Sequence, residues 1–243
     1  PDLEYAHLPL VLGEDKKRLS KRHAATSLNA YKEMGFTKET IINALALLGW
    51  STGNEIFSID ELIESFKLEN VQKAAAVFDL KRFNWVSSQQ LAKLDENGFF
   101  EVIKPFMADE DVSEDSPNYK KILLAMRTSK TNLKDIAHAT RPFFFELDGY
   151  DEKGVKKFLN ESLETLSFAL EVLSKVTEWN ETELDMALIK VRDYFNLPIP
   201  KVNQPMRIAL VGSTVSPSLG LTLELFGKEK SLERIQKAID FIS

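Results

Sequence analysis

The sequence predicts a mainly helical protein with a small mixed α/β portion near its N-terminus. From residue 163 onward, apolar residues recur every three or four positions, which is the spacing of one helix face. The alternation of polar and apolar residues that is typical of strands is scarce after residue 70. With 243 residues, 44% of them hydrophobic, the chain can form a real core in one or two domains.

The first predicted elements are an edge strand, a loop and a short helix. Residues 7–12 form an apolar run that contains Pro9, and proline confines such a run to an edge strand or to the end of a strand. A turn and a strongly basic loop follow. A helix is then predicted over residues 26–34, ending at Gly35, because glycine readily adopts the left-handed conformation that terminates helices.

Polar residues predict where four later helices begin. Thr37 is a good N-cap, and in the segment 58–61 a serine is followed three residues later by glutamate, the spacing of a capping box. The segment 87–90, with serine and glutamine, repeats this spacing, so a helix is predicted to begin at Ser87. Asn180 caps a further helix in the same way.

The C-terminal part of the chain is predicted to be helical throughout. Helical spacing of apolar residues is found within 163–173, 184–195 and 232–242. The connector 196–200 contains two prolines, which prevent a continuous helix there. Trp50 and Trp85 both follow apolar runs and are predicted to pack in the core.

Composition excludes several kinds of site. The chain has no cysteine, and its three histidines (His7, His23 and His138) are too scattered for a metal site, so none is expected. No apolar run reaches the length of a membrane span, and the first residues lack a signal-peptide core, so we expect no membrane association and a cytoplasmic location. The net charge of −6 argues against a protein that coats nucleic acid non-specifically, but not against one that binds nucleic acid through a few well-placed cations.

The segment Lys16–Arg22 is the strongest local charge feature. Five of its seven residues are cationic, although the chain as a whole is acidic. A basic run alone indicates a solvated loop. Its position before ordinary amphipathic helices favours a local phosphate-binding segment.

This segment and three later ones resemble one family. Arg18-Leu19-Ser20-Lys21-Arg22 resembles the KMSKS signature of class I aminoacyl-tRNA synthetases, in the form found in bacterial glutamyl-tRNA synthetases. The similarity continues in order through LALLGWS (45–51), FDLKRFNW (78–85) and the segment 207–228, which contains RIALVG, SPSL and LFGK. The resemblance therefore covers nearly the whole chain.

The resemblance implies the chemistry of the loop. Lys21 would contact ATP, Ser20 would donate a hydrogen bond, and Arg18 stands where the signature usually has its first lysine. Such groups stabilise the charge that grows on phosphates as a carboxylate attacks ATP. In this family the HIGH signature and the nucleotide-binding domain lie upstream of the loop. We therefore expect ATP and Mg²⁺ to act in the full-length enzyme, with none bound to this fragment, which alone should not activate glutamate.

The resemblance also implies an anticodon-binding site. Arg207 aligns with an arginine that reads an anticodon base, and Ser216 and Pro217 align with a Thr-Pro pair beside it. Arg127 resembles the arginine of an R-x-K-T-L segment near the first anticodon base. Gly220 replaces an aromatic residue that the family can place there, which removes one stacking contact. The expected partner is glutamate tRNA, and ATP and glutamate would bind through the catalytic domain.

Three parts are therefore predicted: the KMSKS loop and stem-contact region (1–70) and two helical anticodon-binding subdomains (71–150 and 151–243). We expect a monomer. The helices disfavour a glutaminyl-tRNA synthetase, whose anticodon domains are β-barrels. Two alternatives stay open, a tRNA-binding paralogue without ligase activity and a helical protein-interaction module. The interaction module would show no salt-dependent tRNA binding.

Overall fold

The computed structural model describes residues 5–20, 27–51 and 53–243, which divide into two compact units. The first unit contains the described residues up to Asp109 together with Lys130–His138. The second contains Glu110–Ser129 and Ala139–Ser243. The division into three parts at residues 70 and 150 stays a prediction.

The first unit combines a two-stranded parallel sheet with helices. Strand β1 (Val11–Leu12) pairs in parallel with β2 (Ala76–Val77), so the predicted N-terminal strand is confirmed over two residues. The helices are α1 (Leu28–Glu33), α2 (Lys38–Ala46), α3 (Ile59–Ser65), α4 (Leu80–Lys93) and α5 (Glu96–Asp109), with a 3₁₀ turn at Leu68–Asn70.

The second unit is helical over its described residues, which confirms the mainly helical fold class. Its elements are α6 (Tyr119–Met126), the last residues of α7 (Leu133–Phe144), α8 (Glu152–Gly154), a π-helical turn (Val155–Leu159), α9 (Leu163–Ser174), α10 (Glu181–Phe195), α11 (Ile199–Val211), α12 (Leu219–Phe226) and α13 (Lys228–Ile242). None of the helices in the described ranges is long and apolar enough to cross a membrane.

Three of the four predicted helix starts are confirmed. The Thr37 hydroxyl accepts a backbone N–H of the first turn of α2 at 3.2 Å. At α3 both bonds of the capping box form, since Glu61 N–H donates to Ser58 Oγ (3.1 Å) and Ser58 N–H donates to Glu61 Oε2 (2.7 Å). Glu183 N–H donates to Asn180 Oδ1 at 3.0 Å and begins α10.

The helix start predicted at Ser87 is wrong. Helix α4 begins seven residues earlier at Leu80, where the Asp79 carboxylate accepts two first-turn N–H groups at 2.8 and 3.2 Å. Ser87 lies in the middle of α4, is 1% exposed, and donates its hydroxyl to the backbone oxygen of Thr131 at 2.5 Å. A tertiary hydrogen bond, not a cap, explains this serine, and local spacing cannot distinguish the two.

The core of the first unit is rich in aromatic residues. One cluster, called here the aromatic cluster, contains Tyr31, Phe36, Ile41, Phe78 and Phe83. Trp50 belongs to a neighbouring cluster and is 1% exposed, as predicted. Trp85 is 42% exposed, so its predicted core position is wrong. Phe83 and Val86 define the buried side of α4, and Trp85 points away from it.

A buried arginine joins the ends of two helices in the second unit. Arg234, on α13, is 2% exposed and donates to the backbone oxygen of Leu210 and to that of Phe145 (2.7 Å). These carbonyls lie at the C-terminal ends of α11 and α7, where helical carbonyls lack partners within the helix. The guanidinium also lies 4.5 Å from the ring centroid of Phe226, and burial lowers the pKa of Arg234.

A carboxylate on α12 joins two other helices of this unit. Glu224 accepts hydrogen bonds from the Lys121 ammonium of α6 and, at 2.7 Å, from the Glu181 N–H at the start of α10. The bond from Lys121, followed by that from Glu181, lowers the pKa of the Glu224 carboxyl below its usual 4.5.

We expect Glu224→Gln to lower the free energy of unfolding by about 1 kcal/mol at pH 7, because an amide loses the charge-assisted bond. Since the folded-state pKa of Glu224 lies below the unfolded-state value, its contribution is present above the unfolded value and is lost as pH falls through the folded one. Urea unfolding at several pH values measures this. Glu178→Gln, an exposed change of equal charge outside the helices, is the control; equal loss in both variants would contradict the assignment.

Candidate nucleic-acid interface

The basic loop begins with a tight turn. Lys16 N–H donates to Gly13 O at 2.9 Å, Gly13 N–H donates to Lys17 O at 2.8 Å, and Lys16 has a φ of +60°. Leu19 N–H then donates to Val11 O at 2.9 Å. The chain therefore returns to β1 at the first two residues of the predicted signature.

Leu19 anchors this loop to the core of the first unit. Its side chain packs against the aromatic cluster, while Arg18 is exposed and Ser20 is half-buried. Lys21, the predicted ATP-contacting lysine, lies outside the described residues. The roles of Arg18, Ser20 and Lys21 stay predictions, but the first two follow an anchored turn that presents cations to solvent.

Helix α11 and the segment after it bring three predicted residues together. Arg207 Nε–H donates to Ser216 Oγ at 3.1 Å, and its Nη2 donates to Pro217 O at 3.4 Å. These two bonds use one edge of the guanidinium, which carries five N–H donors in all. Arg207 is half-buried, and that burial lowers the pKa of the guanidinium, which still remains protonated. The outer donors are therefore held in a fixed plane.

A threonine that sequence reasoning missed supports this arrangement. Thr222 on α12 is fully buried, and its Oγ1 lies 3.1 Å from Ser216 Oγ and 2.8 Å from Ser218 O. The Ser216 oxygen is thus held between Thr222 and Arg207. Thr222 is a hydroxyl residue within the apolar run LGLTLELF, and this is the signal that could have identified it.

Gly220 is explained by helix packing. A Cβ at this position would lie 2.5 Å from Asp185 Oδ1 and 2.8 Å from Glu181 O, both on α10. An aromatic side chain therefore cannot be accommodated without moving backbone. The Gly220 N–H donates to Asp185, although burial, followed by the charge of Glu181, raises the pKa of that carboxyl.

Arg127 lies at the C-terminal end of α6 and is half-buried. Two other residues of the segment that it matches have structural roles in the first unit. Thr131 O accepts the Ser87 hydroxyl, and Leu133 N–H donates to Gly35 O at 2.9 Å. The match of Thr131 and Leu133 therefore reflects the fold, and base reading by Arg127 stays a prediction.

Two family models match parts of this chain. The family model described as "Anticodon binding domain" matches residues 98–239, which is more than half of the chain. A second model, described as "tRNA synthetases class I (E and Q), catalytic domain", matches residues 1–85.

Two curated relatives and one solved structure that are similar to this chain are glutamate–tRNA ligases. The glutamate–tRNA ligase of Syntrophotalea carbinolica is 38% identical over 98% of this chain and 52% of its own length, and that of Thermodesulfovibrio yellowstonii is 35% identical with the same coverage. A crystal structure of a glutamate tRNA ligase from Elizabethkingia meningosepticum, in complex with its amino acid, matches 99% of the chain and 52% of its own, with a TM-score of 0.77 and 30% identity. The chain spans about half the length of the curated relatives it matches. It belongs to the family described as "Anticodon binding domain", and over nearly its whole length it is similar to one half of glutamate–tRNA ligases.

Proposed function

We propose that this chain reads the anticodon of glutamate tRNA and supplies the ATP-contacting loop of a glutamate–tRNA ligase. The observation that carries the proposal is the Arg207 guanidinium, fixed on one edge by Ser216 and Pro217 within the match to the anticodon-binding domain. The full-length ligase would activate glutamate with ATP and transfer it to the 3′ end of the tRNA. A monomeric protein in the cytoplasm would suit this role.

The fixed guanidinium suits an unstacked base. Anticodon bases can be splayed out of the loop and read on their hydrogen-bonding edges. A planar guanidinium offers two parallel N–H donors and can stack on a neighbouring ring. Because Ser216 and Pro217 fix one edge of Arg207, little side-chain freedom would be lost when a base binds the other.

The ATP-contacting loop fits phosphate groups. Lys16, Lys17 and Arg18 are exposed on the anchored turn, with Lys21 beyond it in sequence. In the full-length enzyme, ATP bound with Mg²⁺ would provide the phosphorus that the glutamate carboxylate attacks. No group of three or more carboxylate or histidine side chains within the described ranges could hold a metal ion. In the full-length ligase, the ATP phosphates would bind Mg²⁺.

We expect Arg207→Ala to remove the preference of this chain for the glutamate anticodon, with a loss of about 10- to 100-fold in discrimination, since one paired base contact contributes about 1–3 kcal/mol. Fluorescence anisotropy with glutamate tRNA, and with the same tRNA carrying an altered anticodon, measures the ratio of the two affinities.

The matched control is Arg192→Ala, which removes an arginine that pairs with Asp193 on α10. Its discrimination should equal that of the wild type. If Arg207→Ala keeps the preference for the glutamate anticodon, the residue that contacts the anticodon base must lie elsewhere. If the wild-type chain binds neither tRNA at any salt concentration, the result would favour the protein-interaction alternative.

A further inference from the structure

Three lysines share one exposed surface of the second unit. Lys153 lies in the short helix α8, and Lys156 and Lys157 lie in the π-helical turn that follows it. All three are exposed, whereas Gly154 and Leu159 of the same segment are buried. We call the three the lysine face; neither the family resemblance nor the proposed reading of the base uses them.

The π-helical turn shapes this surface. Asn160 N–H donates to Val155 O at 3.1 Å, which is a bond five residues long, and such turns are rare and often found at functional sites. The Asp151 carboxylate accepts the Gly154 N–H at 2.6 Å, so this neighbouring acid acts as a helix cap. Lys157 Nζ lies 5.0 Å from the Phe158 ring centroid, a cation–π contact that leaves its N–H donors available.

Carboxylates in the second unit neutralise other cations. The ion pairs that the structure describes there involve Lys121, Arg141, Lys175, Arg192, Lys230 and Lys237. Lys153, Lys156 and Lys157 are not among these ion-paired cations of the described residues, although the exposed residues Asp151, Glu152 and Glu161 lie nearby in sequence.

The segment that carries the lysine face packs against the helix that carries Arg207. A Cβ on Gly154 would lie 3.1 Å from Ile208 Cδ1 and 3.3 Å from Thr214 Cγ2, so only glycine allows this close approach without displacement. Asp151 N–H also donates to Gly212 O at 2.8 Å, just beyond the end of α11. Ile208 directly follows Arg207, and Thr214 is two residues before Ser216. The segment that carries the lysine face is therefore in contact with the helix that carries Arg207 and with the residues just after it.

We infer that the lysine face binds backbone phosphates of the nucleic acid whose base Arg207 contacts. The inference rests on the proposed function. Lysine ammonium groups are compact charges that suit phosphate without requiring a fixed geometry. Phosphate contacts position a nucleic acid but carry no sequence information. The lysine face would therefore contribute affinity, and Arg207 would contribute selectivity.

The test replaces all three lysines of the face with glutamine and measures tRNA affinity across a series of salt concentrations. Each lost phosphate contact should reduce the slope of log affinity against log salt by about 0.7 to 0.9, so the slope should become shallower by about 2. Affinity should fall equally for the native and the altered anticodon. The control changes Lys175, Lys190 and Lys237 to glutamine, which alters the net charge equally on other exposed helix positions.

The outcomes separate the two proposals. A shallower slope in the face variant, with an unchanged slope in the control and an unchanged thermal unfolding midpoint in both, supports the lysine face. An unchanged slope in the face variant, or an equal loss in both variants, overturns it, even if Arg207→Ala still removes anticodon preference. A slope change confined to the face variant, in a chain that never discriminates between anticodons, would support phosphate binding and overturn base reading by Arg207.

Discussion

Replacing Lys21 with alanine in the full-length ligase is expected to slow formation of glutamyl adenylate by about 10²-fold or more. This is the size of the effect when one preorganised donor to a developing negative charge is removed. Negative charge grows on the phosphates and on the departing pyrophosphate as the carboxylate attacks. An ammonium group placed there stabilises the transition state more than the bound substrates. Leu19, packed on the aromatic cluster, anchors the chain two residues before Lys21.

ATP–pyrophosphate exchange, run in the presence of glutamate tRNA, measures this step. Lys73→Ala is the control, since Lys73 is an exposed lysine of the first unit that lies outside the basic loop. It should change the exchange rate far less than Lys21→Ala. Unchanged exchange in Lys21→Ala would remove Lys21 from the proposed chemistry.

Replacing Arg234 with methionine should lower the free energy of unfolding by about 3 kcal/mol. The change leaves the buried Leu210 O and the part-buried Phe145 O without their donors, and a buried group left unpaired costs about 1–3 kcal/mol. The contact with Phe226 contributes a further fraction. Removing a buried charge gives back part of this loss, since burial disfavours the guanidinium, but the unpaired carbonyl groups dominate.

Urea unfolding followed by circular dichroism measures the loss. Arg234→Lys separates charge from geometry, because one ammonium group on a flexible stem cannot readily reach both carbonyls along the directions of a planar guanidinium. It should be destabilised almost as much as Arg234→Met. If both variants unfold at the wild-type urea midpoint, the joining of α7 and α11 by Arg234 contributes nothing to stability.

Local chemistry made much of the fold predictable. Thr37, Ser58 and Asn180 begin helices as expected because an N-cap is decided within four residues. The start predicted at Ser87 failed because its partner, Thr131, lies 44 residues away. The predicted core position of Trp85 is wrong for a related reason, since hydrophobicity alone does not decide which side of a helix is buried.

The candidate site also combines features that the sequence predicts with features that depend on residues distant in the chain. The family resemblance predicted Arg207, Ser216 and Pro217, and the structure joins them by hydrogen bonds. The support from Thr222 could not be predicted, because it depends on how α12 returns toward α11. The tight packing of Gly220 on α10 was equally hidden, since it depends on a residue 35 positions earlier in the chain, Asp185.

The order in which the chain enters its two units limits how the protein can be cut or recombined. The chain crosses between units three times, because Lys130–His138 belongs to the first unit and both flanking segments belong to the second. A truncation that starts at residue 139 would discard α6 and with it Lys121, the partner of Glu224. One that starts at residue 110 would keep Thr131 and Leu133 but lose Ser87 and Gly35, their hydrogen-bonding partners. A chimera with a related ligase therefore needs matched sequences on both sides of Lys130–His138, and a single crossover within this region would separate residues that fold together.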